Sequence, residues 1–164
     1  LMKRAGVSST IQKKYRPYMP KKEEVEEREN LLKQDFSTTT INEKWVADIT
    51  YIHVLREGWC YLASVLDLHS KKVIGYSFSR NMTTDIVVEA LENAYSTQRP
   101  SNELILHTDL GLQYTSQEFQ NLLAERKIEA SFSRKVYPYD NACIESFHAS
   151  FKKRGGLSNK ICDV

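Results

Sequence analysis

A regular pattern of apolar positions begins at Lys44. Three runs, KWVADITYIHVL (44–55), GWCYLASVLDLH (58–69) and KKVIGYSFSR (71–80), are rich in β-branched and aromatic residues, the composition of strands. Short turns separate them, REG at 56–58 and HSK at 69–71, so the three runs are expected to form an antiparallel meander. The period then changes. Across residues 83–98, Ile86, Val87, Ala90, Leu91 and Ala94 recur at three-to-four spacing, which predicts a helix capped by Thr83 or Thr84 and followed by Pro100. Residues 103–107 (ELILH) read as a short buried strand and residues 128–132 as a fifth strand. Between these two, residues 116–126 read as a helix capped by Ser116, with Phe119, Leu122 and Leu123 facing inward. Asp140 or Asn141 is expected to cap a last helix with Ile144, Phe147 and Phe151 on one face.

The order is therefore β-β-β-α-β-α-β-α, an α/β chain whose natural solution is a mixed five-stranded sheet with flanking helices. A crossover helix at 83–98 permits the first and fourth strands to be neighbours. Residues 1–43 are polar, with Pro17, Pro20 and a threonine run at 38–40, and read as a basic arm and linker. The expected division is this arm over 1–43, a core over 44–154 and a tail over 155–164.

Composition narrows the class. Of the 164 residues 41% are hydrophobic, enough for one core, and no stretch approaches the roughly 20 apolar residues of a membrane span. Three cysteines (Cys60, Cys143, Cys162) without CxxC spacing argue against a disulfide framework or zinc ribbon, so a reducing cytoplasm is the expected home. The net charge of +2 says little, but its distribution says more. Residues 1–22 carry seven Lys or Arg and no acid, and residues 23–29 (EEVEERE) then reverse the sign. Lys13, Lys14 and Arg16, interleaved with Tyr15 and Tyr18, suit a phosphate backbone, although a solvated terminus has the same composition.

Three acids then give the chain its candidate chemistry. Asp48 lies in WVADITYI, on the strand face shared with Val46 and Thr50. Asp109 lies in LILHTDLGLQYTS, just past the fourth strand, where open α/β sheets place their ligands. Glu145 lies in YPYDNACIESFHASFK, with 35 residues between it and Asp109, in the first turn of the last helix. Hard divalent cations take oxygen ligands, and two of them about 4 Å apart can clamp the attacking and leaving oxygens of a phosphodiester.

Other residues have blander readings. Asp67 precedes the HSK turn and reads as a backbone support rather than a ligand. His107 either orients a carboxylate or is a satisfied core group, and spacing leaves both open. His148, one turn after Glu145 on the same side, could approach the scissile site but reads rather as an exposed helix histidine. Trp45 and Trp59 read as core. Tyr137, Pro138 and Tyr139 either position substrate or staple the start of the helix. Arg134, Lys135, Lys152 and Lys153 are candidate phosphate contacts.

From Trp45 to Lys153 the chain resembles the catalytic core of bacterial insertion-sequence transposases, the second-reading-frame products with a retroviral-integrase-type core. The segments that carry the likeness are WVADITYI, GWCYLASVLDLHSKKVIGYSFS, LILHTDLGLQYTS and SRKVYPYDNACIESFHASFKK. YRPYMP and ENLLKQDF resemble the linker of that family. The resemblance implies an RNase H-like fold and a triad of Asp48, Asp109 and Glu145, catalytic and metal-ligating, with two Mg²⁺ ions or Mn²⁺ in their place. Asp48 would bridge both ions, with Asp109 and Glu145 each completing one coordination sphere. It implies strand cleavage at the element end, then in-line attack by the freed 3′-OH, with no covalent protein intermediate. DNA, as element ends and target, and further transposase copies in a homo-oligomer would be the partners, with nucleoid association when DNA is bound. One departure is visible: Leu110 follows Asp109 where the family usually has Arg or Gln.

Two other classes stay open, an RNase H-type nuclease that only cleaves and an inactive fragment that binds DNA or co-assembles with a full transposase. The ends bear on this choice. LMKRAGVSSTIQKKYRP looks like the tail of a longer DNA-binding segment, so the helix-turn-helix that would recognise element ends is expected to be mostly missing. RGGLSNKICDV ends a good helix with two glycines. A single-base slip in an A-run, putting the last eleven residues out of frame, is the expected cause, which makes the chain a truncated or frameshifted copy.

Overall fold

A computed structural model describes residues 28–101, 103–133 and 138–154. Lys13, Lys14, Arg16, Arg134, Lys135, Tyr137 and the tail over 155–164 lie outside the described residues.

Alternating side chains and two short turns build the meander. Strands β1 (Lys44–Val54), β2 (Gly58–Asp67) and β3 (Val73–Ser79) pair antiparallel. Helix α1 (Thr84–Gln98) returns the chain to β4 (Leu104–Thr108), which lies parallel to β1 as anticipated. Helix α2 (Gln117–Arg126) then leads to β5 (Ile128–Phe132), parallel to β4, and the sheet order is β3-β2-β1-β4-β5. A 3-10 turn over Pro138–Asn141 opens the last helix, α3 (Ala142–Arg154).

The sheet separates two cores. Trp45, Ala47, Ala63 and Val65 pack with Ile86, Val87, Ala90, Leu91 and Ala94 of α1 and with Phe119 and Leu123 of α2. The alternate residues Val46 and Leu66 pack instead with Ile144 of α3, Leu32 and Leu68. Period-2 alternation puts these sets on opposite faces, so the molecule has three layers. Leu32 shows that the end of the segment read as linker lies against the sheet. A hydrogen bond from Phe132 N to Glu29 O (3.0 Å) holds it there.

Local signals place the helix ends. Ser116 Oγ accepts from Phe119 N, the cap that the sequence predicts. Thr83 is the α1 N-cap residue, but its hydroxyl donates to Asp85 Oδ2 (3.1 Å) and caps no backbone N–H. Asp67 supports the turn after β2: its two carboxylate oxygens accept from Asn42 N (2.9 Å) and Ser70 N (2.7 Å). Trp45 is fully buried, whereas Trp59 corrects the expectation of core packing. It is 47% exposed beside the turn that closes the β1–β2 hairpin, edge-on to Tyr51 and His53.

Candidate active site

Strand register sets the first acid. Asp48 stands opposite Ser64 of β2, on the face that Val46 and Thr50 share and that α3 covers. Asp109 follows β4 by one residue, and the parallel register that pairs Val46 with His107 carries Asp48, midway along β1, level with the end of β4. Their proximity shows in their electrostatics. Burial raises the Asp109 carboxyl above its ordinary range, Gly111 N opposes that by hydrogen bonding, and the charge of Asp48 adds to the rise.

Asp109 is held by its own loop. Gly111 N donates to Asp109 Oδ1 at 2.9 Å, and a Cβ at Gly111 would meet that oxygen at 2.8 Å. Glycine is therefore needed for the close approach, since the carboxylate would otherwise have to rotate away. Gly111→Ala is expected to leave thermal stability nearly unchanged and, on the reading of Asp109 as a metal ligand, to lower Mn²⁺ affinity about tenfold, the order seen when the support of a ligand is lost. Titration calorimetry with Mn²⁺, beside a melting curve, checks both halves.

Glu145 occupies the first turn of α3 and is exposed. Three residues later on the same helix face lies His148. Its placement corrects the expectation of an exposed histidine: only 5% of it is accessible. His148 Nδ1 lies 3.2 Å from Asp48 Oδ2, and Nε2 lies 2.7 Å from Ser64 Oγ. Burial against β1 follows from helical spacing, because His148 falls one turn after the fully buried Ile144. Lys152, a further turn along, puts Nζ 5.0 Å from the centre of the Tyr51 ring, and Lys153 is exposed.

Of two further neighbours of the acids, only His107 was open to a reading from the sequence. Tyr114 is fully buried, its hydroxyl has no hydrogen-bond partner among the described residues, and burial pushes its pKa well up, with the charges of Asp48 and Asp109 adding to the rise. His107 is fully buried, with Nδ1 2.8 Å from Ser131 Oγ, and burial lowers its pKa against the opposing pull of Asp140. It joins β4 to β5 through Nδ1, while its buried Nε2 has no hydrogen-bond partner among the described residues. Asp140, read as a helix cap, accepts from Asn30 Nδ2 (2.8 Å) and Gln34 Nε2 (2.9 Å) and so ties the 28–36 segment to the start of α3.

The donor chemistry fits hard divalent cations in part. The charge of Asp48 acts on Asp109, and the buried Tyr114 hydroxyl has no partner among the described residues, an environment that a cation would relieve. Yet among the described residues no group of three His, Cys, Asp or Glu side chains is placed to hold a metal ion. No helix among them is long and apolar enough to cross a membrane.

Known proteins resemble this chain in sequence and in fold. "Transposase InsF for insertion sequence IS3A" of Escherichia coli (strain K12) is 40% identical over 151 residues, covering 92% of this chain and 52% of that protein. "Transposase for insertion sequence element IS904" of Lactococcus lactis subsp. lactis (strain IL1403) is 41% identical over 126 residues, covering 77% and 49%. The chain thus spans about half the length of the curated relatives it matches. The HTLV-2 integrase catalytic core domain, solved in complex with magnesium, superposes with a TM-score of 0.56 at 23% identity over 68% of each chain. The fold is accordingly RNase H-like. A family model described as Integrase core domain matches residues 39–138, and this chain belongs to that family.

Proposed function

We propose that this chain is the catalytic core of an insertion-sequence transposase, which cleaves DNA at element ends and joins the freed 3′ end to target DNA. The observation that carries the reading is the placement of Asp48, midway along β1, beside Asp109 at the end of the neighbouring parallel strand β4, with Glu145 on the helix whose His148 meets Asp48. In this reading the three carboxylates hold Mg²⁺, or Mn²⁺ in its place, which would oppose the negative charge that develops on the phosphodiester. The chain's own part is to present oxygen ligands at fixed points. Gly111 N orients Asp109, and β1 presents Asp48 toward α3. Lys152 and Lys153, on the same helix as Glu145, would grip backbone phosphates without reading bases, as would Lys13, Lys14, Arg16, Arg134 and Lys135. Several copies acting together on paired DNA ends complete the reading.

A strand-transfer assay tests it. With labelled element-end DNA, target DNA and Mg²⁺, joined products are expected. Cleavage without joining would make the chain a nuclease.

One observation favours a second reading, a chain that binds DNA or co-assembles with a longer transposase without catalysis. The three acids do not stand as a closed metal group among the described residues. Salt-sensitive DNA binding without Mg²⁺-dependent cleavage is its signature.

A further inference from the structure

His148 of α3 bridges β1 and β2. Asp48 and Ser64 are register partners on adjacent strands, and His148 of α3 inserts between them. An ionised Asp48 can only accept, so Nδ1 of His148 carries the proton and lies 3.2 Å from Oδ2. Nε2 is then free to accept from the Ser64 hydroxyl at 2.7 Å. Side-chain exposures of 6% for His148 and 19% for Asp48 place this bond largely out of water. The order Ser64–His148–Asp48 is that of a hydrolase triad, but Ser64 is 1% exposed, so no substrate reaches its hydroxyl.

We propose that His148 is a positioning residue for Asp48: hung from Ser64, it fixes the rotamer of the carboxylate and leaves the other oxygen for a divalent cation. The inference rests on the reading of Asp48 as a metal ligand. Without the bridge, an aspartate on a strand swings among its rotamers, and each competing rotamer subtracts from cation affinity. The same bond sets where α3 lies on β1. It therefore also sets the first turn of that helix, which carries Glu145. This is how a residue that touches no substrate acts on two of the three acids.

Two variants divide the bridge. The amide nitrogen of asparagine coincides with Nδ1, so His148→Asn keeps the donor to Asp48 and gives up Ser64. Glutamine reaches the Nε2 position, so His148→Gln keeps Ser64 and gives up Asp48. Mn²⁺ binding to the whole chain, followed by calorimetry, is expected to weaken about 10–100-fold in His148→Gln and to return most of the way in His148→Asn, with both melting alike in the absence of metal. If affinity follows melting temperature across the pair, or if His148→Gln binds as the wild type does, the positioning role is overturned. Should His148→Gln fail to fold, Ser64→Ala carries the test, since it frees the imidazole to rotate. An affinity loss of about tenfold is then expected, and wild-type affinity overturns the inference. Asp48→Asn separates the two levels of the argument. If it leaves Mn²⁺ binding intact, the metal-site reading fails; if it abolishes binding while the His148 variants do nothing, only the positioning role fails.

Discussion

Asp48→Asn and Asp109→Asn are each expected to abolish strand cleavage and joining, with rates falling at least about a thousandfold, or about 4 kcal/mol of barrier. Each change is almost isosteric and removes one negative charge from a place where two carboxylates already feel one another. Glu145→Gln should do the same, although Glu145 is exposed and no cluster closes around it among the described residues. Full activity in any one variant would remove that residue from the site. A companion measurement separates chemistry from folding. The Asp109 carboxyl sits above its ordinary range, so the folded state holds its proton more tightly than the unfolded state does. Its ionisation therefore destabilises the fold, a cost absent below the unfolded pKa and fully present once pH has risen through the folded value. Near neutral pH, metal-free Asp109→Asn should thus melt no lower than the wild type. A lower melting temperature would mean that the carboxylate supports structure and that lost activity says little about catalysis.

Much of this architecture was legible because it is local. Three apolar strand runs with short turns gave the meander, and helical periodicity gave α1 within one residue of its start. The two cores follow from alternation, and so does the shared face of Asp48 and Val46. What the sequence hid depends on contacts between distant segments. His148 looked like a surface residue because Phe147 and Phe151 suggested a different buried stripe. Tertiary packing instead turns Ile144 and His148 onto β1 and leaves Phe151 39% exposed. Asp140 has the composition of a helix cap, yet its carboxylate reaches Asn30 and Gln34, more than a hundred residues earlier. Trp59 has the residue type of a core position, but register puts it at the hairpin end where no helix covers it. Tyr114 gave no sign that it would stand beside two acids. Spacing along the chain can bring the three acids toward one edge of a sheet. Which side chains orient them is decided by how α3 crosses β1.

That dependence on packing makes Gly75→Ala the most damaging single change expected outside the site. Gly75 lies in β3 opposite Val65, where the β2–β3 register shifts, and it faces the two alanines of α1. A Cβ there would lie 2.4 Å from Ala90 O and 2.5 Å from Ala94 N, both backbone atoms of the helix. No rotamer change relieves such a contact. Either α1 withdraws from the sheet or β3 bends, and both open the core formed by Ile86, Val87, Ala90, Leu91 and Ala94. Overpacking a well-filled interior costs about 1–3 kcal/mol, and a clash against backbone belongs at the upper end. A loss of about 3 kcal/mol is a large share of a total stability of about 5–15 kcal/mol. For a chain of this size it lowers the melting temperature by about 10 °C. Gly58→Ala provides the comparison. Gly58 has φ +83°, and a Cβ added there would meet nothing within 4 Å, so alanine costs only about 1 kcal/mol of left-handed backbone strain. Thermal unfolding of the two variants side by side checks the ranking. A Gly75→Ala protein that melts within a degree or two of the wild type would mean that α1 rests less tightly on β3 than these distances require.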